Sequence, residues 1–452
     1  MTKLNALTII LICLIFSTCN ILDVEPYDAI PSDEVFTNKK GLDAALIGAY
    51  SCLQRASIST DMIVFADLAA DNLISRGSKA QYREVSNNII QASNTYVEAM
   101  WNRSYECINY INNILAEIDR VTDLNPDEKD NYLGQCYFLR AFNYFNLVRY
   151  FGDLPLRLKP VRDTEPETLN LPLTDENLIY QQIISDLLLA EQLLNGVGKA
   201  NSAFADEGAV KALLAKAYLY THNLNHAIIK ADEVISMGYL LEENYALIFD
   251  EKQSSNEIIF QIDFANSGDV SNILNDWLTP GGRFEVAAWK NAERTTSLAD
   301  DFGIDDLRKE STIRYYIGSK GDDYYCAKYL DNVKRMDNMI ILRLSEMYLI
   351  KAEALNEISY IPDGEAFDAL NVIRIRAGLN PLTSSEITNQ QEFRLAIEKE
   401  RNLELVFEGN RLFDLRRTGR IDQVLPDKGT LKEAGWYFPI PQSEVDTNDS
   451  IN

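Results

Sequence analysis

Four residues in Ala209–Gly238, AVKALLAKAYLYTHNLNHAIIKADEVISMG, constrain the fold of this chain most. Ala215, Tyr218, Ala227 and Val234 stand at offsets 0, 3, 12 and 19. That is the small–aromatic–small spacing of a tetratricopeptide helix pair, in which small residues let two helices approach closely. Such a pair cannot bury its apolar face alone and must stack on others. The spacing therefore predicts a mainly α chain, a superhelical scaffold of tetratricopeptide-like repeats. A second pair is expected at Arg343–Asn356 and Glu365–Gly378, with degenerate copies among the earlier helices.

Helical periodicity recurs along the chain. Gly41–Gln54 is Ala-rich and periodic, and Trp101, Tyr105, Ile108, Ile111, Leu115 and Ile118 recur at three- and four-residue steps. Tyr137–Phe151 is a strongly aromatic helix stopped at Gly152 and the following Asp-Leu-Pro. Residues 152–172, rich in Pro and polar groups, read as a long surface connection, and Glu176–Leu194 resumes a helix.

Between the two repeat pairs the texture changes. Glu257–Phe264, EIIFQIDF, alternates and reads as a short strand. Ser267–Asn338 then gathers Gly, Asp and Asn with Trp277, Phe284, Trp289, Tyr315, Tyr316, Tyr324, Tyr325 and Tyr329. Loops held out by a rigid scaffold concentrate binding residues, so this irregular, loop-rich portion is where a ligand is expected. Exposed rings beside Asp, Asn and Arg suit stacking on sugar faces while bonding their hydroxyls; the competing reading packs each ring against the scaffold. The divisions read as 1–18, 19–240, 241–340 and 341–452: a signal, a first helical part, the insert, and a C-terminal helical part.

Charge narrows the function classes. A formal charge of −25 argues against nucleic acid and anionic membrane surfaces as partners. The two histidines, His222 and His226, belong to no zinc motif, and Asp300, Asp301, Asp305 and Asp306 lack the EF-hand order and read as a solvated turn. No metal or cofactor is expected. With 68 acidic residues, a suitable Asp/Glu pair carries no information about glycoside hydrolysis, and neither a phosphate loop nor GxSxG occurs. No catalytic residue is assigned, and the chain is expected not to be an enzyme.

At the N-terminus, Lys3 precedes an apolar run, Leu7–Phe16, too short for an ordinary membrane span and ending at Phe-Ser-Thr-Cys19. This fits an exported lipoprotein with Cys19 lipidated, although Phe16 and Thr18 depart from the usual residues there; plain secretion with cleavage nearby is the other reading. Asn20–Tyr27 then reads as an acidic tether. Cys52, Cys107, Cys136 and Cys326 are scattered without CxxC; buried free thiols are expected, with a single bridge left open.

One charged stretch remains, Ile397–Gly419, IEKERNLELVFEGNRLFDLRRTG. Read as one helix, it sets Glu400, Arg401, Glu404, Glu408, Arg411 and Asp414 on one side. Acid–base chemistry by a carboxylate pair competes with an ion-pair lattice that docks the helix. The lattice is preferred, because each acid has an arginine at helical spacing, and Arg401 and Arg411 are expected to neutralise Glu404, Glu408 and Asp414.

Several segments, in order, resemble the SusD/RagB family of outer-membrane nutrient-binding lipoproteins. They are Cys19 followed by LDVEP; WNRSYECINYINNIL from Trp101; RAFNYFNLVRYFGDLP from Arg140; Asp306-Leu307-Arg308; RLSEMYLIKAEAL from Arg343; LNVIRIRAGL from Leu370; the charged stretch; and FPIPQ from Phe438. The resemblance implies an α fold of tetratricopeptide-like units against an irregular ligand-bearing portion. It implies a lid on a SusC-like TonB-dependent transporter that captures an oligosaccharide, or in some members a peptide, at the cell surface; a tetratricopeptide scaffold or an enzyme unrelated to import is the remaining reading. It places ligand contacts near Asp67–Trp101 and in the insert, with Asp71, Asn72, Arg76, Trp277, Trp289 and Tyr315 as candidates and Trp101 on the scaffold side.

Overall fold

The computed structural model describes residues 35–75, 78–162, 165–198, 201–250, 255–264, 278, 284–286, 298–318, 321–331, 335–426 and 429–451. Cys19, Arg76, Trp277 and Trp289 lie outside them.

Two helices, α1 (Lys39–Leu53) and α2 (Ala56–Leu68), lead to a short strand β1 (Leu73–Ser75). The long helices α3 (Thr95–Glu117) and α4 (Pro126–Phe151) follow. Asn94 caps α3, and a capping box of Asn125 with Glu128 opens α4 with Pro126 in its first turn. Gly152 ends α4 at φ 72°, a left-handed conformation that an unbranched backbone takes without strain. The surface connection predicted after it carries a two-residue ladder, β2 (Leu154–Pro155) against β3 (Leu173–Thr174), before α5 (Glu176–Leu193).

The repeat segment forms α6 (Glu207–Tyr220) and α7 (Leu224–Ser236), with Ala215, Tyr218, Ala227 and Val234 all buried. The chain then leaves the helical array through β4 (Ile258–Ile262), β5 (Phe284–Val286), β6 (Ile313–Gly318), β7 (Gly321–Cys326) and β8 (Met339–Arg343). It returns as α8 (Leu344–Ile358) and α9 (Glu365–Arg376). Packing runs from α4 through α5, α6 and α7 directly to α8 and α9, so the array is continuous across the excursion. The antiparallel β4–β8 ladder closes the base of that excursion, pairing Ile258 with Arg343 and Ile262 with Met339. A scaffold continuous across an insert means that burying the helical faces, not chain order, decides which elements are neighbours.

One large apolar core runs from α1 through α8. A second joins α8 and α9 to α10 (Gln390–Leu405), where Phe367 stacks on Phe393 at 4.2 Å between centroids. Among the described residues no helix is long and apolar enough to cross a membrane.

Two expectations are corrected here. Residues 397–419 form two helices, α10 and α11 (Arg411–Arg417), separated by a turn in which Phe407 has φ 63° and Gly409 φ 74°. A Cβ on Gly409 would sit 3.2 Å from the Ile63 Cα, so close approach to α2 as well as backbone conformation selects glycine. Cys52 and Cys107 are not free thiols: they form a disulfide tying α1 to α3, with Cα atoms 5.8 Å apart, while Cys136 and Cys326 remain free and buried.

Candidate functional site

The charged stretch proves to be two buried networks: one pairs its glutamates with cations from elsewhere in the chain, and the other joins Arg401 and Arg417 to Asp414 of the same stretch and to Glu353. Glu404, fully buried, accepts from Arg308 at 3.0 Å and also pairs with Arg343 and Arg376. Glu400 accepts from Arg308 at 2.6 Å and Arg374 at 3.1 Å. Glu408 is held by Lys328 at 2.6 Å and Arg343 at 2.8 Å. Burial alone would raise the Glu404 carboxyl, but Arg376, Arg343 and Arg308 hold it well below the usual carboxylate range. A carboxylate locked ionised among three guanidiniums is a poor proton carrier, so this cluster fastens the insert to the scaffold.

Arg401 behaves as expected in one respect, donating to Asp414 from Nε at 3.0 Å. Arg411 does not. Its partner is Asp71, reached from Nε at 2.7 Å and Nη2 at 3.0 Å, not Glu408 or Asp414. The helix break causes this, since it turns Arg411 away from the face carrying Glu404. Asp306 also departs from the solvated-turn reading: it is buried and takes Arg308 Nη2 at 2.8 Å, whereas Asp305 is exposed.

Of the ligand candidates, Asp71 is 4% exposed and engaged by Arg411. Asn72 is fully buried, donating to Asp67 at 2.6 Å and Asn402 at 2.9 Å. As placed, Asn72 presents no surface to a ligand, and its amide bonds position the Asp71 turn. Beside Asp71 opens a cavity of about 320 Å3 lined by Asp301, Glu398, Asn402, Arg411 and Arg420 among others. Arg420 donates to Glu398 at 2.8 Å, so both charge signs meet at its wall as oriented donors and acceptors.

Tyr315 stands on the β6–β7 hairpin, 56% exposed, with its ring 5.2 Å from Tyr324 in an edge contact. Its neighbours Tyr316 and Ile317 are 43% and 76% exposed. Tyr324 and Tyr325 are half-buried and Tyr329 is fully buried, so the insert divides its rings between display and packing. β5 connects this hairpin to the Asp71 turn: it pairs antiparallel with β1, Ile74 opposite Glu285, and packs on β7. The structure thus brings the Asp71–Ser75 segment and Tyr315 into one assembly, 240 residues apart in sequence.

The sequence reading placed Tyr316 in the ligand-bearing insert without singling it out, and it missed Arg420 and Glu398 as neighbours of the site and Arg308, Arg343, Arg376, Lys328 and Glu257 as network partners. A signal existed for two of them. Glu257 and Arg343 are charges at the ends of apolar strands, where an unpaired charge would be costly.

The model of the SusD family matches residues 273–430, and that described as "Starch-binding associating with outer membrane" matches residues 20–219. The SusD-like protein P2 of Formosa agariphila is 27% identical over 503 aligned residues, covering 99% of this chain and 98% of the relative. A laminarin-binding SusD-like protein of known structure is 25% identical, with a TM-score of 0.78 over 92% of this chain and 99% of its own. Surface glycan-binding protein A from Bacteroides thetaiotaomicron, 21% identical, shares the fold with a TM-score of 0.74 over 91% of this chain and 98% of its own. Together the two family models span most of the sequence from residue 20 to residue 430, and the chain belongs to the SusD-like family of carbohydrate-binding, outer-membrane-associated proteins.

Proposed function

We propose that this protein is a lipid-anchored lid at the cell exterior that captures an oligosaccharide and passes it to a SusC-like TonB-dependent transporter, without turnover. The observation that carries the reading is the pair of exposed tyrosines, Tyr315 and Tyr316, on a hairpin joined through β5 to the polar cavity at Asp71. Flat rings meet the apolar faces of sugars, and a mixed-charge wall bonds their hydroxyls. Arg76, Trp277 and Trp289 are proposed as further ligand contacts, and Cys19 as the lipid anchor. The laminarin-binding relative supports a glycan as the cargo.

Isothermal titration with laminari-, malto- and other oligosaccharides, alongside peptides, tests this reading. Each ring platform contributes about 0.5–1.5 kcal/mol beyond area burial, against about 4–15 kcal/mol lost on association. Short glycans should therefore bind in the micromolar to millimolar range, with longer chains tighter. A response to peptides with silence to every glycan would replace the cargo, and hydrolysis by the purified protein would replace the lid. Failure to co-purify a β-barrel transporter from detergent extracts would remove the partner.

A further inference from the structure

We propose that the scaffold holds one halide-sized anion in a small cavity beside Arg149, at the joint between the N-terminal helices and the repeat pair. The cavity, about 40 Å3, has mostly apolar walls from α2, α4, α6, β4 and β8, and its polar lining is Ser59 of α2, Asn146 and Arg149 of α4, Lys216 of α6, and Glu408 and Asn410 in the turn before α11. About 10–15 Å3 of such space admits one water, so one small ion fits.

The charge count singles out Arg149. Around Glu404, five cations (Arg308, Lys328, Arg343, Arg374, Arg376) meet five carboxylates (Glu257, Asp306, Glu400, Glu404, Glu408). Beside the cavity, Lys216, Arg401 and Arg417 meet Glu346, Glu353 and Asp414, three against three. Arg149 belongs to neither set. It is 7% exposed, and among the described residues no carboxylate lies within ion-pair distance of it.

Its Nε donates to the Phe145 carbonyl at 3.3 Å and its Nη2 to the Asn146 side-chain oxygen, while Nη1 is buried with no partner at full hydrogen-bond geometry among the described residues; the neighbouring Tyr220 hydroxyl, also buried and unpaired, is neutral and supplies no counter-charge. The faces of Phe413 and Phe145, 4.3 and 4.5 Å away, offset part of the desolvation but supply no counter-charge. A buried cation without a counter-ion is among the least favourable arrangements in a protein.

Lys216 adds a second positive group to the wall. Its Nζ donates to Asn410 at 2.8 Å and pairs with Glu346 at 2.9 Å. The one carboxylate on the wall, Glu408, is already matched by Lys328 and Arg343. The site is therefore net positive, and a water could satisfy Nη1 but not its charge. An anion there would bridge α4, α6 and the turn before α11.

Crystals of the purified protein soaked in bromide and measured at the bromine edge should show an anomalous peak in this cavity within hydrogen-bond distance of Arg149. In solution, protein exchanged into sodium gluconate should gain a few degrees in melting temperature on titration with chloride or bromide at fixed ionic strength, and the gain should saturate. Arg149→Met should abolish that gain; should this variant not fold, Asn146→Ala, which alters the wall and keeps the charge, should shift the titration to higher halide. A non-anomalous water at the site overturns the proposal. So does an equal response to gluconate and bromide, and so does a bromide peak without halide-specific stabilisation, which marks an adventitious ion only.

Discussion

Arg411 and Asp71, 340 residues apart in sequence, form a two-pronged ion pair buried beneath the polar cavity. It ties the turn that leads into β1 to the first residue of α11. Replacing Arg411 by Ala strands the Asp71 carboxylate away from water. Such a loss costs about 3–5 kcal/mol where one partner of a buried pair is removed. We expect Arg411→Ala to lower the urea midpoint accordingly, and Asp71→Asn combined with Arg411→Met to recover part of the loss. Because Arg411 also lines the cavity, glycan affinity of the folded fraction should weaken as well; wild-type affinity in that fraction would confine the pair to a structural role.

Stability should peak on the acid side of neutrality. Burial pushes the Asp67 carboxyl up to about 7, against the opposing pull of Asn72, the Phe407 amide and Lys328. The folded state thus holds this proton more tightly than the unfolded chain, where the group titrates near 4. That contribution is complete below about pH 4 and is lost as pH rises through 7. Glu404 and Asp414 run the other way. Burial opposes their ionisation, yet arginines hold both carboxyls low: Arg376, Arg343 and Arg308 for Glu404, and Arg401 and Arg417 for Asp414. Their contributions are present above about pH 4 and disappear only in stronger acid. Each pKa unit is worth about 1.4 kcal/mol, so the fall between pH 5 and 8 amounts to a few kcal/mol at most. Urea unfolding across that range should show it, and Asp67→Asn should flatten it; a variant that keeps the wild-type slope would assign the effect elsewhere.

The Cys52–Cys107 bridge spans 55 residues of sequence. In the chain-entropy account a loop of that length is worth about 4 kcal/mol to the folded state. A Cys52→Ser, Cys107→Ser double variant should unfold at markedly lower denaturant than the oxidised protein, and reductant should shift the parent but not the variant. Mass spectrometry of the non-reduced protein should find one bridge, with Cys136 and Cys326 alkylated only after unfolding, as their burial requires.

Tyr315→Ala and Tyr316→Ala remove rings that face solvent, so melting temperature should move little. If the hairpin carries cargo, each should weaken glycan binding several-fold, in line with about 0.5–1.5 kcal/mol per ring. Tyr329→Ala is the control, because that ring is fully buried and its loss should act on stability. Calorimetric titration that finds wild-type affinity in both surface variants would move the site off the hairpin.

Much of the scaffold was legible in the residues themselves. Apolar periodicity is local, so the helix at Glu176 and the repeat segment emerged within a few residues of their observed bounds, while those read from Trp101 and Tyr137 matched at their C-terminal ends and start earlier, at Thr95 and Pro126. Burial of Ala215, Ala227 and Val234 followed from spacing alone, because one helical face must meet a neighbour wherever that neighbour comes from. Which charges would pair was another matter. Glu404 met Arg308, Arg343 and Arg376, not the arginines of its own stretch. The bend at Phe407 and Gly409 was hidden because it answers to α2, whose Ile63 Cα would lie in tight contact, 3.2 Å, with a Cβ on Gly409.

The sequence by itself determined the helices, their apolar faces, and the existence of a polar, aromatic excursion between two helix pairs, since these depend on spacing along the backbone. Only the tertiary structure decided that Asp71 faces Arg411, that Cys52 meets Cys107, and that Tyr315 is displayed while Tyr329 is buried. Ion pairs, disulfides and exposure are set by distances between segments far apart in the chain, and those distances exist only once the core has closed.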